Sequence, residues 1–404
     1  YKYAIIDGCL EKISSFRIEP PGLFKGRGDH PRAGNLKQRT MPEDIQLNCS
    51  KDALVPICPL PGRCWGSTVT LTDCGWLASY VEASTNNRKY VFLGAGSKMK
   101  GQKDMAKYER ARRLKDEIDR IRRDYKDKMR SADARERQLG TAAYLIDYLA
   151  IRVGNEKKED EADTVGCCSL RMEHIHFGEN CEITLDFLGK DSMRYLNTVK
   201  VEEQVYANLK LFAARKEATD DVFDLINSSR LNEYLTSLMP ELTAKVFRTY
   251  NASMTLQREL DKNIEGIKSD DSLERKLDEY TEANRRVAIL CNHQKGVSKN
   301  FDETTAKQQE KIDELKKEAR KLKKQKQDAK LERLNERIAK AEKNMEKRVK
   351  NKSIALGTSK INYNDPRITV AWCKAADVPI EKIFTSVLLE KFVWAMSTES
   401  TWKF

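Results

Sequence analysis

The chain has 404 residues, and its 74 Lys and Arg outnumber its 62 Asp and Glu to give a formal net charge of +12 at pH 7. It contains no run of about 18 apolar residues, which argues against a membrane-spanning protein. With 40% hydrophobic residues, it can build the cores of two or three domains. The positive balance indicates a phosphate-rich partner only if the charges cluster on one surface.

Ten cysteines are spread along the chain, and none forms a CxxC pair. This spacing argues against a zinc finger and against a disulfide scaffold. Cys58, Cys64 and Cys74 come nearest to a metal pattern, but their spacing fits no common zinc site and no His lies near them. We therefore expect free thiols at these positions.

The first quarter of the chain is predicted to be strand and loop. Turn clusters rich in Pro, Gly and Asn separate short β-type runs. These runs are Tyr3–Ile6, 45–49, 68–72 and 89–93. From about residue 104 Pro disappears and apolar residues recur at helical spacing, which predicts two or three helices up to about residue 154.

Strands return between residues 170 and 201. Apolar and polar residues alternate over 183–187 before a Gly-Lys-Asp turn, and this pattern predicts a β-hairpin with Lys190 at its tip. Helical spacing dominates most of the rest of the chain. The clearest helical stretches are 231–258, 273–291, 369–376 and a last one after Pro379.

Residues 297–356 contain neither Gly nor Pro, and their apolar residues step by three and four in two runs, 312–322 and 331–345. The break at 323–330 has no apolar residue larger than Ala, so we predict an antiparallel coiled-coil hairpin. Residues 307–350 carry 17 Lys and Arg against 9 Asp and Glu, a net charge of +8. A solvated coiled coil explains the seam, whereas the basic excess indicates proximity to DNA.

Motifs of several enzyme classes are missing from the sequence. It has no P-loop, no GxSxG elbow and no carboxylate cluster with metal-ligand spacing, which argues against NTPases, hydrolases and polymerase-like enzymes. Attack on a phosphodiester by a side-chain nucleophile is still compatible with it. Such chemistry needs cationic donors on the non-bridging oxygens and an acid for the leaving sugar oxygen. Arg suits the first task, and Lys or His the second.

The segment GTSKINYNDPRITVAWC, from Gly357 to Cys373, resembles the active-site tyrosine motif of the eukaryotic-type DNA topoisomerase I family, the type IB enzymes. Six other segments resemble the same family in the expected order. They are 18–28, 150–157, 163–171, 186–192, 242–251 and 288–294. The resemblance covers essentially the whole chain.

The resemblance implies a catalytic set of five residues. Tyr363 would attack the phosphorus and hold the 3′ end of the broken strand as a phosphotyrosine, which stores the bond energy, so that no ATP is needed. The resemblance also implies that no metal or other cofactor is required. Arg152, Arg248 and His293 would bind the non-bridging oxygens. Lys190 would protonate the leaving 5′ oxygen and take that proton back during resealing. Without the family, Lys190 is an exposed turn lysine, His293 a helix-end histidine and Tyr363 a core aromatic.

The resemblance also implies contacts outside this set. The implied DNA contacts are Arg27, Lys37, Lys89, Asn155, Asp191 and Asn362. The implied site for camptothecin-type poisons consists of Glu19, Phe24, Arg27, Asp191 and Asn362. Each lysine could equally be a solvated surface charge. Contacts of this kind position a duplex without reading its bases, so we expect salt-dependent binding with slight sequence preference.

The resemblance further implies an α+β fold in four parts. Residues 1–97 would be a DNA clamp without its cap lobe, and 98–296 a mainly helical catalytic core shared with tyrosine recombinases. Residues 297–350 would be a coiled-coil linker, and 351–404 a small helical domain with the nucleophile. The implied protein is a nuclear monomer that acts on double-stranded DNA. Because the chain begins with Tyr rather than Met and has no leader, we expect an internal start within a longer protein.

Three features depart from the family pattern. Asn364 follows the nucleophile where an apolar residue is usual, Lys25 begins the RGRG-like loop, and the cap lobe is absent. We expect the chemistry to survive the first two, and clamp closure to be affected by the third. Two other readings are a tyrosine recombinase and a DNA-binding scaffold without catalysis. The long charged hairpin before Tyr363 favours the topoisomerase over the recombinase.

Overall fold

The structure is a computed structural model that describes residues 2–14, 21–157, 161–264, 266–268, 270–325 and 327–404, except the side chain at 263. Glu19, one of the predicted inhibitor contacts, lies outside the described residues. The fold is α+β, as predicted. No helix within the described ranges is both long enough and apolar enough to cross a membrane.

The N-terminal part consists of short strands in small sheets. β1 (Tyr3–Ile6) pairs antiparallel with β2 (Cys9–Lys12), and β3 (Gly22–Leu23) pairs antiparallel with β4 (Leu36–Lys37). A further sheet is formed by β5 (Gln46–Asn48), β6 (Ser67–Val69), β7 (Trp76–Glu82) and β8 (Asn87–Phe92). Its strand order is β6-β5-β7-β8, with β5 and β6 parallel.

The four strands predicted for this part are confirmed as β1, β5, β6 and β8. β7 is not among the predictions, although it pairs with both β5 and β8. The small residues Ala78 and Ser79 interrupt its apolar pattern. Ser79 is fully buried because it faces inward from this inner strand.

α1 (Lys98–Met129) and α2 (Ala134–Leu149) pack against each other at the centre of the main core and confirm the predicted helical region. α1 begins earlier than predicted because the Ser97 hydroxyl caps it, accepting a backbone N–H at 3.2 Å. α2 ends where Ala150 adopts a left-handed φ of 50°. Buried apolar side chains of the two helices include Leu114, Ile118, Ile121, Leu145 and Ile146.

The predicted β-hairpin is confirmed. β9 (Ile175–Phe177), β10 (Glu182–Gly189) and β11 (Met193–Lys200) form an antiparallel sheet with β10 in the middle. Lys190 begins the tight tip between β10 and β11, where Asp191 has a φ of 66°. The register therefore places Lys190 at the exposed end of the hairpin.

The next helices are α3 (Glu203–Ala213), α4 (Ser228–Leu238), α5 (Ala244–Ile264) and α6 (Leu273–Leu290). The prediction of one helical run over 231–258 is wrong, because α4 and α5 are separate helices. The chain leaves the helix at Met239, whose ψ is 131°, immediately before Pro240. Glu241 then turns it with a φ of 62°.

α7 (Phe301–Lys324) and α8 (Asp328–Lys350) form the predicted coiled-coil hairpin, with Ala319, Leu334 and Ile338 buried in its seam. The basic side of α8 contacts the acidic side of α6 through ion pairs. These are Lys340–Glu274, Lys343–Asp278, Lys347–Asp278 and Lys350–Glu282, with N–O distances of 3.3, 2.6, 2.5 and 3.1 Å. Part of the positive charge of α8 is therefore neutralised within the chain.

The C-terminal segment contains α9 (Leu356–Asn362), α10 (Pro366–Ala375) and α11 (Ser386–Lys391). α10 confirms the helix predicted at 369–376, and it begins earlier because the Asp365 carboxylate caps it. After residue 379, a short 3₁₀ turn and α11 take the place of the single predicted helix. Apolar side chains of this segment belong to the same buried core as α1 and α5. The division into four domains stays a prediction.

Candidate active site

A cavity of about 130 Å³ lies where the chain after α2, the β10–β11 tip, α5 and the residues after α6 meet. Four of the five predicted catalytic residues line it: Arg152, Lys190, Arg248 and His293. Tyr363 lies beside it, since its ring stacks on His293 with the ring centroids 5.2 Å apart and 26° between the planes. The guanidinium carbon of Arg248 is 5.0 Å from the centroid of the same Tyr363 ring. The structure thus brings all five residues together.

Arg248 projects from α5 and is 5% exposed. Its Nη1 donates to the carbonyl of Ala150, and its Nη2 donates to the carbonyl of Cys291 at 3.0 Å. Its Nε–H is buried and has no hydrogen-bond partner among the described residues. Because a buried cation with an unpaired donor is stabilised by a bound anion, the cavity suits a phosphate oxygen here.

His293 follows α6 and is 6% exposed. Its Nδ1 lies 2.8 Å from the Ser359 hydroxyl oxygen, and its Nε2 is buried without a partner in the described part of the chain. Burial, and after it the charges of Arg248 and Arg152, lowers the pKa of His293 to about 3. The imidazole is therefore neutral at pH 7. Its Nε2 is a second unpaired, buried nitrogen at this cavity.

We expect the free energy of unfolding to decrease as the pH falls below neutrality, with His293 responsible for part of the loss. A histidine in the unfolded chain takes up a proton near pH 6.5, whereas folded His293 does so only near pH 3. The unfolded state therefore binds more protons between these values, and the stability that is present above pH 6.5 is lost below it. Urea unfolding at pH 7 and pH 5 should show a loss smaller by roughly 1–2 kcal/mol in His293→Gln than in the wild type. Equal losses in the two proteins would contradict this account.

Hydrogen bonds fix both the backbone N–H and the backbone carbonyl of Tyr363, and the residue is 4% exposed. Its N–H donates to the carbonyl of Ser359 in α9 at 2.9 Å, and its carbonyl accepts from the hydroxyl of Ser253 in α5 at 3.2 Å. The Ser253 oxygen also accepts the backbone N–H of Asp365 at 3.0 Å. The ring of Tyr363 is thus a core aromatic that also borders the cavity.

Arg152 and Lys190 line the open side of the cavity, and both residues are exposed. Arg152 lies just after α2, and Lys190 begins the hairpin tip. A DNA strand that entered the cavity would meet these two cations before it reached the buried Arg248 and His293.

Arg27 and Asp191 are brought together by the structure. Their side chains form an ion pair, and the Ser192 hydroxyl donates to the backbone carbonyl of Arg27 at 3.3 Å. Gly28 has a φ of 57°, and a Cβ at this position would overlap the Ser192 side chain. Close packing of the loop on the hairpin tip therefore requires glycine here, next to Lys190.

Lys37 and Lys89 share one carboxylate. Their Nζ atoms lie 3.7 and 3.4 Å from the carboxylate oxygens of Glu82. Partial burial would raise the pKa of Glu82, but a hydrogen bond from Thr85 and the two lysine charges outweigh it and lower the pKa. Neither lysine lines the cavity. Their contact with DNA stays a prediction.

The remaining predicted contacts lie on the surface outside the cavity lining. Asn155 is exposed in the segment after α2, and Asn362 is exposed at the last position of α9. Phe24 is partly buried and packs edge-on against His30, with ring centroids 4.9 Å apart. Their roles in binding DNA or an inhibitor stay predictions.

Asn364, which departs from the family pattern, is buried and has a side-chain partner in α6. Its Nδ2 donates to Oδ1 of Asn284 in α6 at 3.1 Å, and Nδ2 of Asn284 donates to the carbonyl of Leu356 in α9 at 2.8 Å. The two amides therefore join α6 to α9. Sequence reasoning missed this pair and also missed Ser253 and Ser359. A signal was present for Ser359, because it lies within the tyrosine motif.

Comparison with known proteins decides the family. Residues 1–93 match the DNA-binding fragment of eukaryotic DNA topoisomerase I, residues 96–327 match its catalytic core, and residues 335–404 match a C-terminal topoisomerase domain. The chain belongs to the eukaryotic DNA topoisomerase I family. The resemblance found in the sequence is thus confirmed.

The relatives cover this chain almost completely. It is 49% identical to DNA topoisomerase 1 of Caenorhabditis elegans, over 98% of this chain and 52% of that protein. It is 48% identical to DNA topoisomerase 1 of Homo sapiens, over 98% of this chain and 55% of that protein. It is 46% identical to DNA topoisomerase 1 alpha of Arabidopsis thaliana, over 100% of this chain and 46% of that protein. The chain spans about half the length of these curated relatives.

Proposed function

We propose that the chain relaxes supercoiled double-stranded DNA as a type IB topoisomerase. It cleaves one strand, lets the duplex rotate about the intact strand, and reseals the break. The observation that carries this proposal is the pair of buried, unpaired nitrogens, Nε of Arg248 and Nε2 of His293, at a cavity beside Tyr363. Such a pair is suited to the non-bridging oxygens of one DNA phosphate.

The cleavage step exchanges one phosphoester bond for another. The Tyr363 hydroxyl gives its proton to water, its oxygen bonds to phosphorus, and the bond between phosphorus and the 5′ oxygen breaks. Negative charge grows on the non-bridging oxygens in the transition state, where Arg152, Arg248 and His293 bind them. Because the phosphotyrosine stores the bond energy, resealing needs no ATP.

Lys190 supplies the proton for the leaving 5′ oxygen, which is strongly basic as an alkoxide. Its place at the exposed hairpin tip, on the lining of the cavity, supports this role. The Arg27 loop packs on the same tip and would approach the DNA beside the scissile phosphate. During resealing the proton returns to Lys190 as the 5′ oxygen attacks.

The proposal also covers the partner, the oligomeric state and the location of the enzyme. The partner is double-stranded DNA, the enzyme acts as a monomer without a required metal, and its place is the nucleus. Camptothecin-type poisons would bind at the cleaved site. The match to a DNA-binding fragment and the names of the relatives support the DNA partner.

The two other readings of the sequence receive less support. A scaffold without catalysis would be favoured if Tyr363 or either arginine were displaced from the phosphate, whereas both arginines line the cavity and Tyr363 packs against Arg248. A tyrosine recombinase would not be expected to carry the long hairpin of α7 and α8. The first observation supports an enzyme over a scaffold, and the second supports the topoisomerase over the recombinase.

The test of the proposed function is relaxation of a supercoiled plasmid in EDTA without ATP. We expect topoisomers that differ by single steps in linking number, because one strand is cut at a time. A requirement for ATP and Mg²⁺, or binding to the plasmid without relaxation, would contradict the proposal.

We expect the basic hairpin to tune rotation rather than chemistry. Lys323, Lys324 and Lys330 lie at its turn, and none of them lines the cavity. Lys326, from the same stretch of sequence, lies outside the described residues. Changing the three described lysines to Gln should leave single-turnover cleavage of a short suicide substrate within about twofold and alter plasmid relaxation at low salt, because salt screens their attraction for DNA.

A matched control removes lysine charge from the other end of α8. Lys343→Gln with Lys347→Gln breaks the ion pairs to Asp278 and should loosen α8 from α6. We expect this control to change the mobility of the hairpin at low salt, measured by the distance between spin labels on α6 and α8.

The variant with three lysines changed at the turn decides between the two roles of the hairpin. A large loss of single-turnover cleavage in that variant would show that the hairpin belongs to the active-site scaffold.

A further inference from the structure

Ser359 contacts both the phosphate-binding histidine and the nucleophile. It lies in α9 and is fully buried. Its hydroxyl oxygen is 2.8 Å from Nδ1 of His293. Its carbonyl accepts the backbone N–H of Tyr363 at 2.9 Å and that of Asn364 at 2.9 Å. One buried residue thus joins the groups that must act on the same phosphate.

The direction of the bond between Ser359 and His293 decides what His293 presents to the cavity. A neutral imidazole carries one proton, and a serine hydroxyl can either donate or accept. If the hydroxyl donates to Nδ1, the proton of the ring is on Nε2, which can then donate to a phosphate oxygen. If the hydroxyl accepts from Nδ1–H, Nε2 holds a lone pair that repels the anion.

A protonated ring would donate from both nitrogens and would remove this choice. His293 is buried at a cavity that Arg248 and Arg152 also line, and burial and these two cations lower its pKa to about 3. The ring is therefore neutral near pH 7. Only the tautomer then determines whether Nε2, which has no partner among the described residues, is a donor.

We propose that Ser359 is a positioning residue that donates to Nδ1 and thereby selects the Nε2–H tautomer of His293. The neutral ring can then donate to a non-bridging oxygen while Tyr363, stacked on it, attacks the phosphorus. The role of this tautomer in DNA cleavage rests on the proposed function. The tautomer itself is a property of the DNA-free protein and can be measured without any reaction.

The substitution Ser359→Ala tests the hydroxyl alone. It removes Oγ but keeps the backbone carbonyl that holds Tyr363. The change is small, because it deletes one atom. Ser359→Cys keeps nearly the volume of serine with a weaker S–H donor, and it serves as a second variant if the alanine form does not fold.

The measurement is long-range ¹H–¹⁵N NMR of protein labelled at histidine, at pH 7. The chain has only 4 histidines. One of them, His30, is an internal reference, because the backbone N–H of Arg32 donates to its Nδ1 at 3.1 Å. This reference must carry its proton on Nε2 when neutral. The His293 signal is assigned by its loss in His293→Gln.

We expect wild-type His293 to show the same Nε2–H pattern as neutral His30. In Ser359→Ala the His293 signals should move towards a mixture of tautomers, and single-turnover cleavage should fall about 10- to 100-fold. Ser359→Cys should lie between the two. The control Ser253→Ala removes a hydroxyl that holds Tyr363 without contacting His293, and it should leave the His293 signals unchanged.

Two results would overturn the inference. One is an Nδ1–H pattern for His293 in the wild type, which is readable whether or not the variants fold. The other is an unchanged His293 tautomer in a folded Ser359→Ala or Ser359→Cys protein. If the expected tautomer is found but the wild type does not cleave DNA, the proposed function fails while the role of Ser359 in selecting the tautomer stands.

Discussion

Tyr363→Phe is expected to reduce the rate of DNA cleavage by roughly 10³-fold or more while leaving the fold intact. The substitution removes the only oxygen that can attack the phosphorus in this account. The ring keeps its stacking on His293, its contact with Arg248 and its place in the core. The measurement is the yield of covalent protein–DNA complex trapped with detergent, alongside the thermal unfolding of both proteins.

The control for this experiment is Tyr195→Phe. Tyr195 lines the same cavity, and its hydroxyl accepts a hydrogen bond from Asn197 at 3.1 Å. It is therefore the rival nucleophile, and its variant should still form the covalent complex. Complexes that persist in Tyr363→Phe and disappear in Tyr195→Phe would show that Tyr195, and not Tyr363, is the nucleophile.

Lys190→Ala is expected to slow cleavage of ordinary DNA by about 10²- to 10⁴-fold, the usual contribution of a general acid. A substrate with sulfur in place of the leaving 5′ oxygen should restore the rate to near the wild-type value, because a thiolate leaves without an acid. The measurement is single-turnover cleavage of both substrates by both proteins. Rescue by sulfur separates the loss of an acid from a loss of DNA binding.

A matched control for Lys190 is Lys200→Ala, which removes a lysine from the opposite end of the same hairpin. It should cleave both substrates at rates close to those of the wild type. If Lys190→Ala cleaves the sulfur substrate as slowly as ordinary DNA, Lys190 is not the acid. The tip would then act by positioning the strand, together with the Arg27 loop that packs on it.

Local patterns in the sequence predict the elements that carry the site. The alternation over 183–187 followed by a turn predicts the hairpin with Lys190 at its tip, and the seam of α7 and α8 predicts their pairing. Both patterns depend on side chains that are close in sequence. The failure at 231–258 has a local cause as well, since Pro240 outweighs the helical spacing on either side of it.

Contacts between distant parts of the chain could not be predicted in this way. Ser359 and His293 are 66 residues apart, and Asn364 and Asn284 are 80 residues apart. No local pattern reports that such residues meet in the folded core. The family resemblance predicted five residues that the structure brings together at one cavity, but it did not indicate the buried groups that hold them.

The net charge was also an incomplete guide. The excess of Lys and Arg in the hairpin predicts a surface near DNA, but several lysines of α8 pair with acidic residues of α6. Lys37 and Lys89 likewise share Glu82. Counting charges along a sequence cannot distinguish a cation that is already paired from one that is available to a phosphate.

The central claim is that Tyr363 forms a covalent bond to the 3′ end of a broken DNA strand. The most direct measurement traps the wild-type protein on a suicide substrate, digests the complex, and identifies the modified peptide by mass spectrometry. We predict a 3′-linked nucleotide on the peptide that contains Tyr363. A nucleotide on any other residue, or one linked through its 5′ end, would contradict the account.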